Sequence, residues 1–324
     1  MNLVRLLMAP ILAIVMFASV LHAHAQGYPG ATVHLIVGFT PGSAVDIVAR
    51  TVSQKLGELW GQRVLVENRP GAGGSVGAGA VAKSAANGHT LLVHTNAFAS
   101  NPALYSNLQF DPLKDFIAIS PLAAQPFVIV VASGSGLKTL SDLIASAKSR
   151  PGQLNYGSAG IGGATHFAAE KFRLAAGIDL IHVPNKGGPE ANADVLAGRV
   201  TYWFAPVTTA ISLLRDGRLV ALGVSSPQRS ILLPQVPTIA EAGLPGFEET
   251  AWFGLWAPAA TPAGVVDKLA RDVAQALGAP DLRERLNNLG AEPMIMSPAD
   301  FARFVRAELE AAVRVVKAAG IKVE

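Results

Sequence analysis

Two glycine-containing loops hold the residues whose types and spacing best suit chemistry. The first, Phe39-Thr40-Pro41-Gly42-Ser43-Ala44, follows an aliphatic, β-branched run from Thr32 to Val37. Beyond it Val45, Val48, Val52, Leu56 and Leu59 recur at helical spacing. Strand, tight loop and helix N-terminus in that order leave backbone N–H groups and the positive end of the helix dipole free to hold an anion. Ser43 and Asp46 have the S-x-x-D spacing of a capping box. The second loop, Gly157-Ser158-Ala159-Gly160-Ile161-Gly162-Gly163, also lies between an extended segment and a helix, here starting near Ala164. Two such N-termini facing across a cleft would grip one anionic group between them.

Other constellations carry less. Gly73-Gly74-Ser75-Val76-Gly77 matches the G-x-S-x-G pattern of a hydrolase nucleophile. The strand before it ends near Glu67, however, and the loop Asn68–Ala72 removes the sharp strand–turn–helix geometry that the pattern needs. No Gly-Lys-Ser/Thr is present, no glycine cluster reads G-x-G-x-x-G, and the histidines show no paired H-x-x-x-H spacing. No catalytic residue, cofactor or metal is expected. The 26 basic and 23 acidic residues are too balanced and too scattered for a nucleic-acid binder.

The elements that must position these loops alternate. Strands are expected at Thr32–Val37, Arg63–Glu67, Thr90–His94, Phe127–Ala132, Leu180–Val183, Val200–Phe204, Val220–Ser225 and Trp252–Ala257, with helices between them. This rhythm predicts an α/β protein with mainly parallel sheets. Three successive helices close the chain: Thr261–Leu277, capped by Thr261; Asp281–Leu289; and Ser297–Ala319, opened by Ser-Pro-Ala-Asp. At the front, Arg5, the apolar run Leu6–Leu21 and Ala23-His24-Ala25 form a signal peptide cut after Ala25. An exported, periplasmic protein without cysteine follows, with about 299 residues left for two domains.

Six stretches together resemble the Bordetella uptake gene (Bug) family, the solute-binding components of tripartite tricarboxylate transporters. They are LIVGFTPGSAVDIVAR (35–50), VENRPGAGGSVGAGAVAKS (66–84), GQLNYGSAGIGGATHFAAE (152–170), IHVPNKGG (181–188), LPQVPTIAEAGLPGFE (233–248) and WFGLWAPAATP (252–262). The similarity runs in order along the whole mature chain. It implies a two-lobed binding protein of the Venus-flytrap kind whose chain crosses twice between lobes. One lobe would hold 26–125 and 227–324, the other 126–226. It also implies that the two loops grip a ligand carboxylate, through Phe39, Pro41, Gly42, Ser43 and Ala44, then Ser158, Gly162, Gly163, Ala164 and Thr165. Asn96, Asn185, Phe204 and Ala205 would shape the rest, and His166 sits where it either faces the pocket or packs locally. Of Trp252, Phe253 and Trp256, core packing is the default, with one of them a candidate to line the cleft.

The sequence departs from the family pattern at three places. Thr40-Pro41-Gly42-Ser43-Ala44-Val45-Asp46 stands for the common Pro-Pro-Gly-Gly-x-Thr-Asp, Asn185 for a tyrosine, and Ala205 for a frequent acid. With no acid at 205, the expected ligand is a carboxylate without an ammonium group, apolar or aromatic. The resemblance further implies a monomer that delivers its ligand to membrane permease subunits. A role as the ligand-sensing partner of a membrane kinase would use the same pocket.

Overall fold

The computed structural model describes residues 27–320. The expected signal peptide and its cleavage point lie outside the described residues. In chain order the structure opens with β1 (Val33–Val37), α1 (Ala44–Trp60), β2 (Val64–Asn68), α2 (Ser75–Ala82), β3 (Thr90–Thr95) and α3 (Ala97–Leu104). A 17-residue strand, β4 (Phe116–Ala132), leads out of this part. It is followed by α4 (Leu140–Ser149), β5 (Asn155–Ser158), α5 (Ala164–Ala176), β6 (Ile181–Pro184), α6 (Gly188–Leu196), β7 (Tyr202–Pro206), α7 (Val207–Arg215) and β8 (Leu219–Val224). The chain returns through β9 (Thr250–Pro258) and ends in α8 (Ala263–Gly278), α9 (Pro280–Asn288), a short β10 (Glu292–Pro293) and α10 (Pro298–Ala319).

The fold is α/β and two-lobed, with a sheet in each lobe and β4 shared between them. In the first sheet β1 lies between β2 and β3, parallel to both. β9 runs antiparallel to β3 and to the first half of β4, Phe116 to Pro126. From Phe127 onward β4 pairs instead with β7 and β8, antiparallel to each. β5 joins β7 and β6 in parallel. The expectation of mainly parallel sheets is therefore corrected to mixed sheets. A strand that leaves a lobe and one that comes back run in opposite directions, and here β4 and β9 are neighbours. Hydrophobic periodicity reports burial and says nothing of direction.

Residues 227–249, expected with the first lobe, pack on the second sheet. Leu233 and Val236 share a cluster with Val128, Val130 and Val224. Val224 and Thr238 form a parallel bridge, and the Glu249 amide donates to the Ser225 carbonyl at 2.9 Å. The return to the first sheet comes with β9.

The terminal helices cover the first sheet. Leu269, Val273 and Leu277 are fully buried, or nearly so, and Phe301 and Val305 pack with Trp252, Trp256 and Phe98. Ser297 caps α10 by accepting the Asp300 amide, as its sequence predicts. Thr261 does not cap α8: Pro262 holds the cap position without a side-chain bond, and the Thr261 hydroxyl is buried without a partner. Among the described residues no helix is long and apolar enough to cross a membrane.

Candidate functional site

The first loop is held open by its own carboxylate. Asp46 is buried and accepts hydrogen bonds from the Gly42 amide at 2.9 Å, from Arg50 Nε at 3.0 Å and from Asn68 Nδ2 at 2.8 Å. Burial would raise its pKa, but these donors win and hold it below the usual carboxylate range. The expected capping box does not form, because Asp46 is engaged elsewhere and Ser43 makes no side-chain cap bond. Ser43 Oγ is left buried and without a partner. Gly42 sits at φ +78°, a left-handed turn conformation that favours glycine. Above the turn, the amides of Ala44 and Val45 open α1 and have no acceptor within their helix.

The second loop is built on a buried polar stack. Ser158 Oγ lies 2.6 Å from His182 Nε2 and also takes the Gly160 amide at 3.2 Å. His166 Nδ1 accepts the Gly162 amide at 3.2 Å, and its ring stacks on His182 with centroids 4.0 Å apart. Burial lowers the pKa of His166 to about 4, and burial with the neighbouring His166 lowers His182 to about 3. Both are neutral at neutral pH, and His166 Nδ1 serves as an acceptor. Thr165 Oγ1 takes the Ala159 amide at 2.8 Å, and Gly163 donates to the Gly160 carbonyl at 3.1 Å. The amides of Ala164 and Thr165 open α5 and, like those of Ala44 and Val45, have no intrahelical acceptor.

These two helix starts face one small cavity of about 40 Å³ between the sheets. Phe39, Ser43 and Ala44 line it from one side and Ala164 and Thr165 from the other, and Phe127, Trp203 and Phe253 add aromatic side chains to its wall. No acidic side chain lines it. A wider chamber of about 840 Å³ adjoins it, sharing Phe39 and Ala159 and adding the Pro70–Gly74 loop, Tyr105, Ile161, Asn185 and Lys186. The lobes touch around the cleft. Tyr105 donates its hydroxyl proton to the Ile161 carbonyl at 2.7 Å, and Ser100 Oγ lies 3.4 Å from the Gly162 carbonyl.

The expected site residues thus divide. Phe39, Ser43, Ala44, Ala164 and Thr165 come together at the inner cavity, and Asn185 lines the outer one. Pro41 and Gly42 are exposed at the turn, and the Gly42, Gly162 and Gly163 amides are used within their loops. Ser158 and His166 lie behind the second loop as supports. Asn96 takes the N-cap position of α3 and its Oδ1 is buried without a partner. Phe204 and Ala205 are fully buried away from both cavities. Phe204 packs on Phe172 and Phe247, and Ala205 sits with Val128 in the second core. The inference drawn from the missing acid at 205 therefore loses its footing, since that position does not reach the cleft. Trp203 is on the same face of β7 as Ala205, and it is the larger Trp203 side chain that lines the inner cavity. Among the C-terminal aromatics Phe253 lines the cavity, while Trp252 is buried and donates from Nε1 to Glu308 at 2.9 Å. Trp203, Thr209 and Tyr105 went unassigned in the sequence, and only Trp203, on its aromatic strand, carried a signal.

Ser75 of the G-x-S-x-G segment begins α2 and accepts from Asn101 Nδ2 at 2.9 Å. It lines neither cavity of the cleft. Among the described residues no group of three or more His, Asp and Glu is placed to hold a metal.

A two-lobed α/β molecule whose shared strands bracket a cleft bounded by opposed helix N-termini is a solute-binding protein of the periplasmic type. The chain belongs to the family described as tripartite tricarboxylate transporter family receptor, which matches residues 48–321. It is similar to the protein BugT of Bordetella pertussis, 33% identical with 100% of each chain covered. In structure it resembles R. palustris Rpa4515 with adipate, with a TM-score of 0.89, 34% identity, and coverage of 92% of this chain and 100% of that one. It also resembles MatC (Rpa3494) from Rhodopseudomonas palustris with bound malate, with a TM-score of 0.84, 33% identity, and coverage of 89% and 100%.

Proposed function

We propose that this protein captures a small carboxylate in the periplasm between its two lobes and hands it to the membrane subunits of a tripartite tricarboxylate transporter. The observation that carries this reading is the inner cavity, where two helix N-termini converge on the buried, unpartnered Ser43 hydroxyl. A carboxylate placed there accepts from Ser43 Oγ and from first-turn amides of α1 and α5. Charge-assisted bonds of this kind contribute about 1.5–3 kcal/mol each, so four of them with apolar contact reach the ~8 kcal/mol of a micromolar complex. No arginine clamp is required. The adipate and malate held by the two structural relatives are carboxylates, and the family is one of receptors rather than enzymes.

The moving parts are the lobe of residues 27–125 with 250–320 and the lobe of residues 126–249, hinged at β4 and at the entry to β9. The monomer exports through the signal peptide cut after Ala25 and works without a cofactor. Ligand binding without an ammonium group fits a cleft whose lining contains no Asp or Glu. The test is calorimetry on ligand-stripped mature protein with a panel of mono-, di- and tricarboxylates and amino acids. Ser43→Ala should weaken the best acid about tenfold through loss of one donor, while Ser75→Ala leaves it unchanged. Absence of binding by every acid, or tightest binding by a neutral or cationic solute, would overturn the reading.

A further inference from the structure

We propose that the open edge of β8 docks an extended peptide of a partner protein, one in which apolar side chains alternate with acidic ones. The site lies on the second sheet, apart from the cleft, and it does not depend on what the cleft binds.

β8 pairs on one side with β4, from Leu219 to Val224. The Ser133 amide donates to the Arg218 carbonyl at 3.1 Å, and the Ser225 amide to the Phe127 carbonyl at 2.9 Å. Antiparallel alternation from these two bonds turns the main-chain groups of Val220 and Gly223 toward β4, and those of Leu219, Ala221 and Val224 away from it. The outward groups of Val224 are used. Its amide donates to the Pro237 carbonyl at 3.0 Å, and its carbonyl accepts the Ile239 amide at 2.8 Å. The chain covers its own edge only at that parallel bridge. Among the described residues no strand pairs with the outer side of Leu219 and Ala221. Edges left open are commonly guarded by proline or charge, and Leu219-Val220-Ala221-Leu222 has neither.

The segment that could have covered this stretch turns back on itself, with the Val236 amide donating to the Leu233 carbonyl at 3.0 Å. It leaves a groove of about 620 Å³ lined by Leu219–Leu222 and by Leu140, Leu214, Leu232 and Val236. Ile231, next in the chain to Leu232, is 86% exposed, more than any other large apolar side chain among the described residues. Lys138 and Arg215 also line the groove. Both are exposed, and among the described residues no carboxylate lies within ion-pair distance of either. Glu241, the one acid of the lining, is committed to Arg229 Nε and to the Thr238 amide, each at 2.8 Å. An added strand is held by its main chain and selected by its alternate side chains. Here the edge supplies the main-chain groups, the leucines the apolar contact, and the two free cations the preference for acid.

The experiment is fluorescence anisotropy on the mature protein with labelled hexapeptides in which valine alternates with glutamate, serine or lysine. The glutamate peptide should bind about tenfold more tightly than the serine peptide, and the lysine peptide more weakly than either. The double variant Lys138→Glu, Arg215→Glu should invert that order. Bound glutamate peptide should slow hydrogen exchange of the Leu219 and Ala221 amides in the unaltered protein. Ala221→Pro, which deletes one outward amide, should abolish binding of all three peptides while the circular dichroism spectrum stays unchanged. No binding by any peptide, an order untouched by the charge reversals, or protection of some other surface overturns the proposal. A concentration-dependent dimer that Ala221→Pro dissolves would give the edge to a second copy of the chain and overturn it too.

Discussion

Acid should loosen this protein well above the range in which carboxylates titrate. The cause is the stack behind the second loop, where neutral His182 holds Ser158 and neutral His166 holds the Gly162 amide. Tyr156 covers His182 at 4.9 Å and donates its phenol proton to Glu170, while Arg173 pairs with the same carboxylate and Tyr202 closes the far side. Burial is the main reason both imidazoles stay neutral; Glu170 favours the charged form of His166 and Arg173 opposes it. In the unfolded chain each histidine titrates near 6.5, against about 4 for His166 and about 3 for His182 in the fold. Depressed folded values mean that the unfolded state binds more protons below pH 6.5. The penalty is absent above that pH, grows as pH falls and levels off below the folded values.

At about 1.36 kcal/mol per pH unit, each histidine costs ~2 kcal/mol between pH 6.5 and 5. The stacked pair together costs ~4 kcal/mol, a large part of an ordinary domain's stability. Buried His94, lowered to about 4, acts in the same direction. Glu249, raised by its burial beside Lys171, works in the opposite sense as it is protonated. The assay is urea denaturation of ligand-free mature protein at half-unit steps from pH 7 to 5. His182→Gln, whose amide can still hydrogen-bond Ser158, should lower the slope by nearly one proton. Stability that stays flat over this range, or an identical slope in the variant, would refute the reasoning. Ligand affinity should hold over the same range, because folded His166 stays neutral and keeps accepting the Gly162 amide until the pH nears about 4.

Two further outcomes concern closure. Gly162 stands at φ +72°, and a Cβ there would meet Leu104 Cδ1 and the Tyr105 ring, both of the other lobe, at 3.0 Å. Gly162→Ala should cost about 1–3 kcal/mol in the closed form, read as a tenfold or greater loss of affinity; an unchanged affinity would show that the two loops need not meet. Tyr105→Phe removes the hydrogen bond to the Ile161 carbonyl. It should weaken ligand about fivefold and raise the radius of gyration of the ligand-free protein in X-ray scattering, and an unchanged radius with unchanged affinity would exclude a latch.

Much of the framework was legible because its signals are local. The helix after the second loop runs from Ala164 to Ala176 as its apolar spacing predicts, and Ser297 caps its helix with residues three positions away. Glycines at the two loops announce the turns that bare the helix N-termini. Other features depend on residues far along the chain, and no window of sequence contains them. Ser43 and Asp46 have the spacing of a capping box, yet Asn68, 22 positions on, shares Asp46 and leaves the serine free for the cavity. The same spacing at Thr139 and Asp142 does make the box, since no distant group competes. α3 escaped notice because Pro102 interrupts its pattern, and its missing donor matters little in a short helix packed against α10. The strand directions and the placing of residues 227–249 were decided by pairing across the sheets, whereas Trp203 and Ala205 share one face of β7 and only the larger of the two lines the cavity. Local periodicity fixes which face of an element is apolar; which neighbour covers that face is settled only when the lobes assemble.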